Sequence, residues 1–175
     1  MPIYVALLRA VNLGGTSKLP MADLKEMCVA EGFTRVQTYI ASGNVVLAAK
    51  VSASKVKAAL EQRLRTYAGK PIGVLVRTAD EMAGVLKANP FPDTPPNRTV
   101  AIFLDDAPAR DVLSRLKGVN DEEVQLGRRE IYVHYPSGQG RSKLKIPGAE
   151  GGTARNMNTI AKLAEIATAI KAADR

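Results

Sequence analysis

Tryptophan is absent from the 175 residues, histidine and cysteine occur once each, and only 5% of positions are aromatic. Any core must be filled mainly by Val, Ile, Leu and Ala, and the 46% hydrophobic content is the amount expected of a globular chain. The lone Cys28 excludes an intramolecular disulfide and a cysteine-rich zinc site, and the lone His134 excludes a multi-histidine metal centre. Long apolar runs are missing as well. The stretch Ile3 to Leu8 falls far short of the roughly 20 residues a spanning helix needs, and nothing basic precedes it as in a secretory signal. These absences predict a cytoplasmic protein with no membrane segment.

Positive charge is what the chain has in excess, with 25 basic against 17 acidic residues and a net charge of +8. The last segment, 136–175, holds seven basic and three acidic side chains, whereas 98–135 is slightly acidic. Such a balance favours anionic partners, either small phosphorylated ligands or nucleic acid. A solvated basic surface accounts for the charge equally well.

Hydrophobic periodicity gives the order of elements. Ile3 to Leu8 reads as a buried strand, Asn12 to Lys18 as a Gly-rich loop, and Pro20 opens a helix with Met21, Leu24 and Met27/Cys28 on its apolar side. Strands follow at Val36 to Ile40 and Val45 to Ala48 around the turn Ser42-Gly43-Asn44, then a helix from Ser54 to Tyr67 and a strand at Ile72 to Val76. Thr78-Ala79-Asp80-Glu81 matches a capping box that opens a short helix ending near Ala88. Four prolines in Asn89 to Pro96 break any regular element, so residues 89–97 read as a linker between halves at 1–88 and 98–175. In the second half Val100 to Leu104 reads as a strand, and Asp106 to Gly118 as a capped helix. Strands at Val124 to Leu126 and Ile131 to Tyr135 follow, and a helix from Thr153 to Ala173 ends the chain. No fourth strand is visible there. The fold class is therefore α/β (α+β), with two ferredoxin-like βαββα(β) halves on antiparallel or mixed sheets.

Conventional catalytic groups are few, and the sequence assigns no catalytic residue, no metal site and no cofactor. Cys28 reads as a packed thiol, His134 as a polar residue on a sheet face, and Asp106 as a helix cap. The loops carry more chemistry. Gly14-Gly15-Thr16-Ser17-Lys18, Gly138-Gln139-Gly140-Arg141-Ser142-Lys143 and Gly151-Gly152-Thr153-Ala154-Arg155-Asn156 each join glycines to a cation and a hydroxyl or amide. Glycines let backbone N–H groups approach an anion, and Arg or Lys completes the charge match. None of the three has P-loop spacing. Turns with solvated charges are the plainer reading of each.

Four ordered segments are similar to a known family: Arg9-Ala10-Val11-Asn12-Leu13-Gly14-Gly15 with Lys18 and Met21, Tyr39-Ile40-Ala41-Ser42-Gly43-Asn44-Val45-Val46, Gly140-Arg141-Ser142-Lys143-Leu144, and Thr153-Ala154-Arg155-Asn156-Met157-Asn158-Thr159. The chain resembles the bacterial family catalogued as domain of unknown function 1697. The resemblance implies two ferredoxin-like α/β halves and no established activity. Leu47 and Met157 depart from the Phe and Trp that are frequent in the family, and both swaps bear on a pocket wall.

Three functions compete. The first is binding of a small anionic ligand by the loops, with Arg9, Asn12, Gly14, Gly15, Lys18, Ser42, Asn44, Arg141, Ser142, Lys143, Arg155 and Asn156 as candidate ligand-binding residues. In this reading Arg9, Lys18, Arg141, Lys143 and Arg155 converge on one cleft between the halves. The second is RNA binding on a sheet, for which Tyr4, Tyr39 and Tyr132 are the available stacking platforms. The third is a protein–protein interaction module using an open sheet face. The sequence sets no oligomeric state.

Overall fold

The computed structural model describes residues 1–9, 19–40 and 43–173. They form two four-stranded antiparallel sheets and four α-helices, in two ferredoxin-like halves. Asn12, Gly14, Gly15, Lys18 and Ser42 lie outside the described residues.

The first half runs β1 (Ile3–Leu8), α1 (Met21–Ala30), β2 (Thr34–Thr38), β3 (Asn44–Ala48), α2 (Ala53–Ala68), β4 (Val74–Thr78) and α3 (Ala79–Lys87). Its sheet has the order β2-β3-β1-β4, the split βαβ arrangement. Alternation along the strands sends Tyr4, Ala6, Leu8, Val45, Leu47, Val74 and Val76 to the face covered by α1 and α2. Val56, Leu60 and Leu64 of α2 are fully buried there, spaced one helical turn apart. Burying each such side chain stabilises the fold by about 1.5–3 kcal/mol. Ser52 caps α2 at Lys55 N, and Gly69 ends it at φ +72°. The capping box expected before α3 is present: Glu81 N donates to Thr78 Oγ1 at 3.1 Å, and Thr78 N donates to Glu81 Oε1 at 2.9 Å. The edge strand β2 pairs with a shift in register between Thr34 and Gln37, where Arg35 has φ +52°.

The second half runs β5 (Thr99–Phe103), β6 (Glu123–Leu126), β7 (Glu130–His134), β8 (Thr153–Asn156) and α4 (Met157–Ala173). Its sheet order, β6-β7-β5-β8, repeats that of the first half strand for strand. Two expectations are corrected here. Residues 106–118 form no α-helix, only a 3-10 turn at Val112–Arg115. A fourth strand does exist: β8 pairs with β5 over Thr153 to Asn156, so the final helix starts at Met157 and not at Thr153. The free edge of β5 offers a full ladder of hydrogen bonds to this segment, and that outweighs its helical periodicity.

A residue-level repeat, invisible in the sequence, also emerges. Arg77 of β4 sits opposite Val5, and Arg155 of β8 sits opposite Ala101, the third residue of the first strand in each half. Both arginines are buried, and each donates from Nη1 to the carbonyl of the preceding residue, at 3.1 Å to Val76 and 2.9 Å to Ala154. Each is followed at once by a helix cap, Thr78 for α3 and Asn156 for α4, the latter accepting from Thr159 N at 2.9 Å.

The chain divides into two compact units, one of residues 1–83 with 162–175 and one of residues 84–161. The first holds fourteen basic and eight acidic residues, the second eleven and nine. No helix among the described residues is long and apolar enough to cross a membrane.

Candidate functional site

In the first unit the two crossovers between strands are the helices α1 and α2. In the second unit the equivalent crossovers, residues 104–122 and 135–152, carry only short 3-10 turns. They cover the sheet face with scattered apolar side chains, Val112 and Leu116 from the first, and Leu144, Ile146 and Ala149 from the second, packed on Val100, Ile131 and Val133. Covering a sheet with irregular segments leaves gaps that a helix would fill. Two such recesses lie along the seam between the crossovers.

One recess, of about 430 Å³, is lined by Arg115, Lys117, Lys145, Ile146, Pro147 and Glu150. Lys117 and Lys145 face each other across a β-bridge, with Lys117 N donating to Lys145 O at 3.1 Å and Lys145 N to Lys117 O at 2.8 Å. Directly opposed like charges destabilise a bridge, and no carboxylate pairs with either ammonium among the described residues. Arg115 has a solvent-exposed partner in Asp111 at 3.7 Å, a pair of little energetic weight. Gly118 makes the seam possible. It has φ +71°, and a Cβ there would lie 2.2 Å from the carbonyl oxygen of Lys143.

The second recess, of about 400 Å³, shares Arg115 and Pro147 with the first. Leu104, Val112 and Ile131 give it an apolar wall, and Asp105 and Asp106 stand along its edge.

The residues singled out in the sequence fall as follows. Arg141 ends a 3-10 turn and is exposed, as is Lys143, and Ser142 Oγ accepts from Leu144 N at 3.1 Å in a local turn. These three lead directly into Lys145 of the seam. Arg155 is buried on β8, bonded to Thr153 Oγ1 at 2.7 Å as well as to the Ala154 carbonyl. Burial pushes its guanidinium down from 12.5 to about 10. Asn156 is occupied as a helix cap. Asn44 is fully buried and donates from Nδ2 to the Tyr39 carbonyl at 2.9 Å, closing the β2–β3 hairpin. Arg9 lies in the first unit at the end of β1, half-buried, with its stem laid over Gly73. Gly152 serves close packing: a Cβ there would lie 2.5 Å from the Phe103 carbonyl oxygen. Sequence reasoning missed Arg115, Lys117 and Lys145, because it placed the first two on a helix. The signal for them is Gly118, whose left-handed backbone serves the seam and does not end a helix.

Other candidates have structural employment. Cys28 is fully buried, and desolvation, with the nearby Glu31 charge adding to it, pushes its thiol up to about 12, so it stays protonated and unreactive. His134 Nδ1 lies 3.2 Å from Thr99 Oγ1, in a chain that continues to Thr94 Oγ1 at 2.6 Å. Tyr4 and Tyr132 are buried, with hydroxyls donating to the carbonyls of Val51 at 2.7 Å and Val85 at 2.8 Å. Neither presents a face for base stacking, which leaves Tyr39 alone of the three platforms. No group of three or more His, Cys, Asp or Glu that could hold a metal occurs among the described residues.

No curated protein matches this sequence. Among solved structures, a conserved bacterial protein from Streptococcus pneumoniae is similar in fold, with a TM-score of 0.78 at 22% identity, over 95% of this chain and 98% of that one. The model of the family described as "Protein of unknown function (DUF1697)" matches residues 1–132, three quarters of the chain, and the protein belongs to that family.

Proposed function

We propose that the protein binds a small anionic ligand of the phosphate type in the basic recess of its second unit. Arg115, Lys117 and Lys145 supply the charge, and Arg141, Ser142 and Lys143 precede Lys145 along the chain. The observation that carries this reading is the opposed pair Lys117 and Lys145, two ammonium groups on one recess without a carboxylate partner. An anion between them would turn a repulsion into charge-assisted hydrogen bonds. The recess volume falls in the range of small-molecule sites, about 300–1,000 Å³. The elements around it also agree with a site: loops on a rigid sheet carry recognition more often than the sheet itself.

The test is thermal denaturation with increasing inorganic phosphate or sulfate, on the wild type, Lys117→Gln, Lys145→Gln and the exposed α1 control Lys25→Gln. A ligand at 100 times its dissociation constant stabilises a fold by about 2.7 kcal/mol. Wild type and Lys25→Gln should rise together. The two seam variants should lose most of the rise, while being equal to or slightly more stable than wild type without anion, because a like-charge pair has been relieved. Equal rises in all four proteins would mean diffuse screening and would sink the proposal.

A further inference from the structure

The basic recess has a neighbour whose lining includes Asp106. The two recesses share Arg115 and Pro147 and are therefore neighbours. That second recess is lined by the buried side chains Leu104, Val112 and Ile131 and by Asp106. A structural task for Asp106 as a helix cap is ruled out, since residues 106–118 form no α-helix. The 3-10 turn that replaces it follows Asp111, whose side chain caps nothing either. The Asp106 carboxylate is exposed, and no ion pair or hydrogen bond holds it among the described residues. Arg115, which lines both recesses, has only the weak, exposed pair with Asp111. The two recesses thus present two ammonium groups and the Arg115 guanidinium, an apolar wall and one unengaged carboxylate.

Resting on the anion-binding reading above, we propose that the ligand is zwitterionic: a phosphate-type group held by Lys117 and Lys145, joined by a short hydrocarbon spacer to a protonated amine held by Asp106. A simple anion leaves Asp106 without use. A molecule with both charges engages both recesses and buries its spacer against Leu104, Val112 and Ile131.

Calorimetric titration of the full chain with ω-aminoalkyl phosphates of two to six carbons, and with plain alkyl phosphates of the same lengths, tests this. At the best length the amine should improve affinity by about three- to fivefold, the range of a partly exposed ion pair. Asp106→Asn should abolish that advantage while leaving alkyl phosphate binding equal or tighter. If plain alkyl phosphates bind as well as their amines at every length, or if Asp106→Asn keeps the advantage, the zwitterion proposal is overturned and the anion site stands. If no phosphate binds at all, both fall.

Discussion

Gly118 holds the seam together, and replacing it with alanine should show how strongly. Its φ of +71° is a conformation that costs a non-glycine residue about 1–2 kcal/mol. The added Cβ would also stand 2.2 Å from the Lys143 carbonyl oxygen and 2.9 Å from the carbonyl carbon. Both contacts are to backbone, so no rotamer change relieves them, and the two crossovers must separate. Separation gives up the two hydrogen bonds between Lys117 and Lys145, each with a net contribution of about 0.5–1.5 kcal/mol. Together these effects predict a loss of about 2–5 kcal/mol, a large part of the roughly 5–15 kcal/mol that a domain has in total. Gly138→Ala is the matched control. Its φ is +89°, but a Cβ there meets nothing within 4 Å, so only the backbone cost of about 1–2 kcal/mol applies. Urea denaturation followed by far-UV circular dichroism gives the stabilities. Amide hydrogen exchange at Lys117 and Lys145 reports the bridge itself. If Gly118→Ala falls within about 0.5 kcal/mol of Gly138→Ala and both amides remain protected, the steric account of the seam is wrong.

Two further expectations concern buried groups. The Cys28 thiol, pushed up to about 12, should be alkylated by iodoacetamide at neutral pH far more slowly in native protein than in denaturant; comparable rates would contradict its burial. Burial, with Glu130 adding to it, raises the Tyr132 hydroxyl from 10.0 to about 12. The folded protein therefore keeps a proton that the unfolded chain releases, so this contribution to stability is whole below pH 10 and is lost as pH climbs toward 12. Tyr132→Phe should accordingly start less stable, having lost the hydrogen bond to Val85, yet show a shallower fall in thermal midpoint from pH 10 to 12 than the wild type. A parallel fall would refute the assignment.

Much of the first half was legible from residue order because its signals are local. The Val56, Leu60, Leu64 stripe, the Thr78 cap and the stops at Gly32 and Gly69 all act within a turn or two of the chain, and the helices formed where those signals placed them. The second half was decided at longer range. Residues 106–118 have helix-compatible spacing, yet Val112 is the one residue of the 3-10 turn that finds a core, and a short helix with so little to bury is marginal. The pairing of Lys117 with Lys145, far along the chain, then draws the end of that segment into an extended path. Thr153 to Asn156 likewise became a strand only because β5 presented an open edge, and Arg77 and Arg155 became equivalent buried residues only once both sheets had formed in the same order. The candidate site follows the same division. Sequence alone marked the segment of Arg141, Ser142 and Lys143 as basic and glycine-rich, since composition is a local property. That Arg115, Lys117 and Lys145 share a recess, next to one lined by Asp106, was set by tertiary structure, because it depends on two irregular crossovers meeting where helices would otherwise have packed.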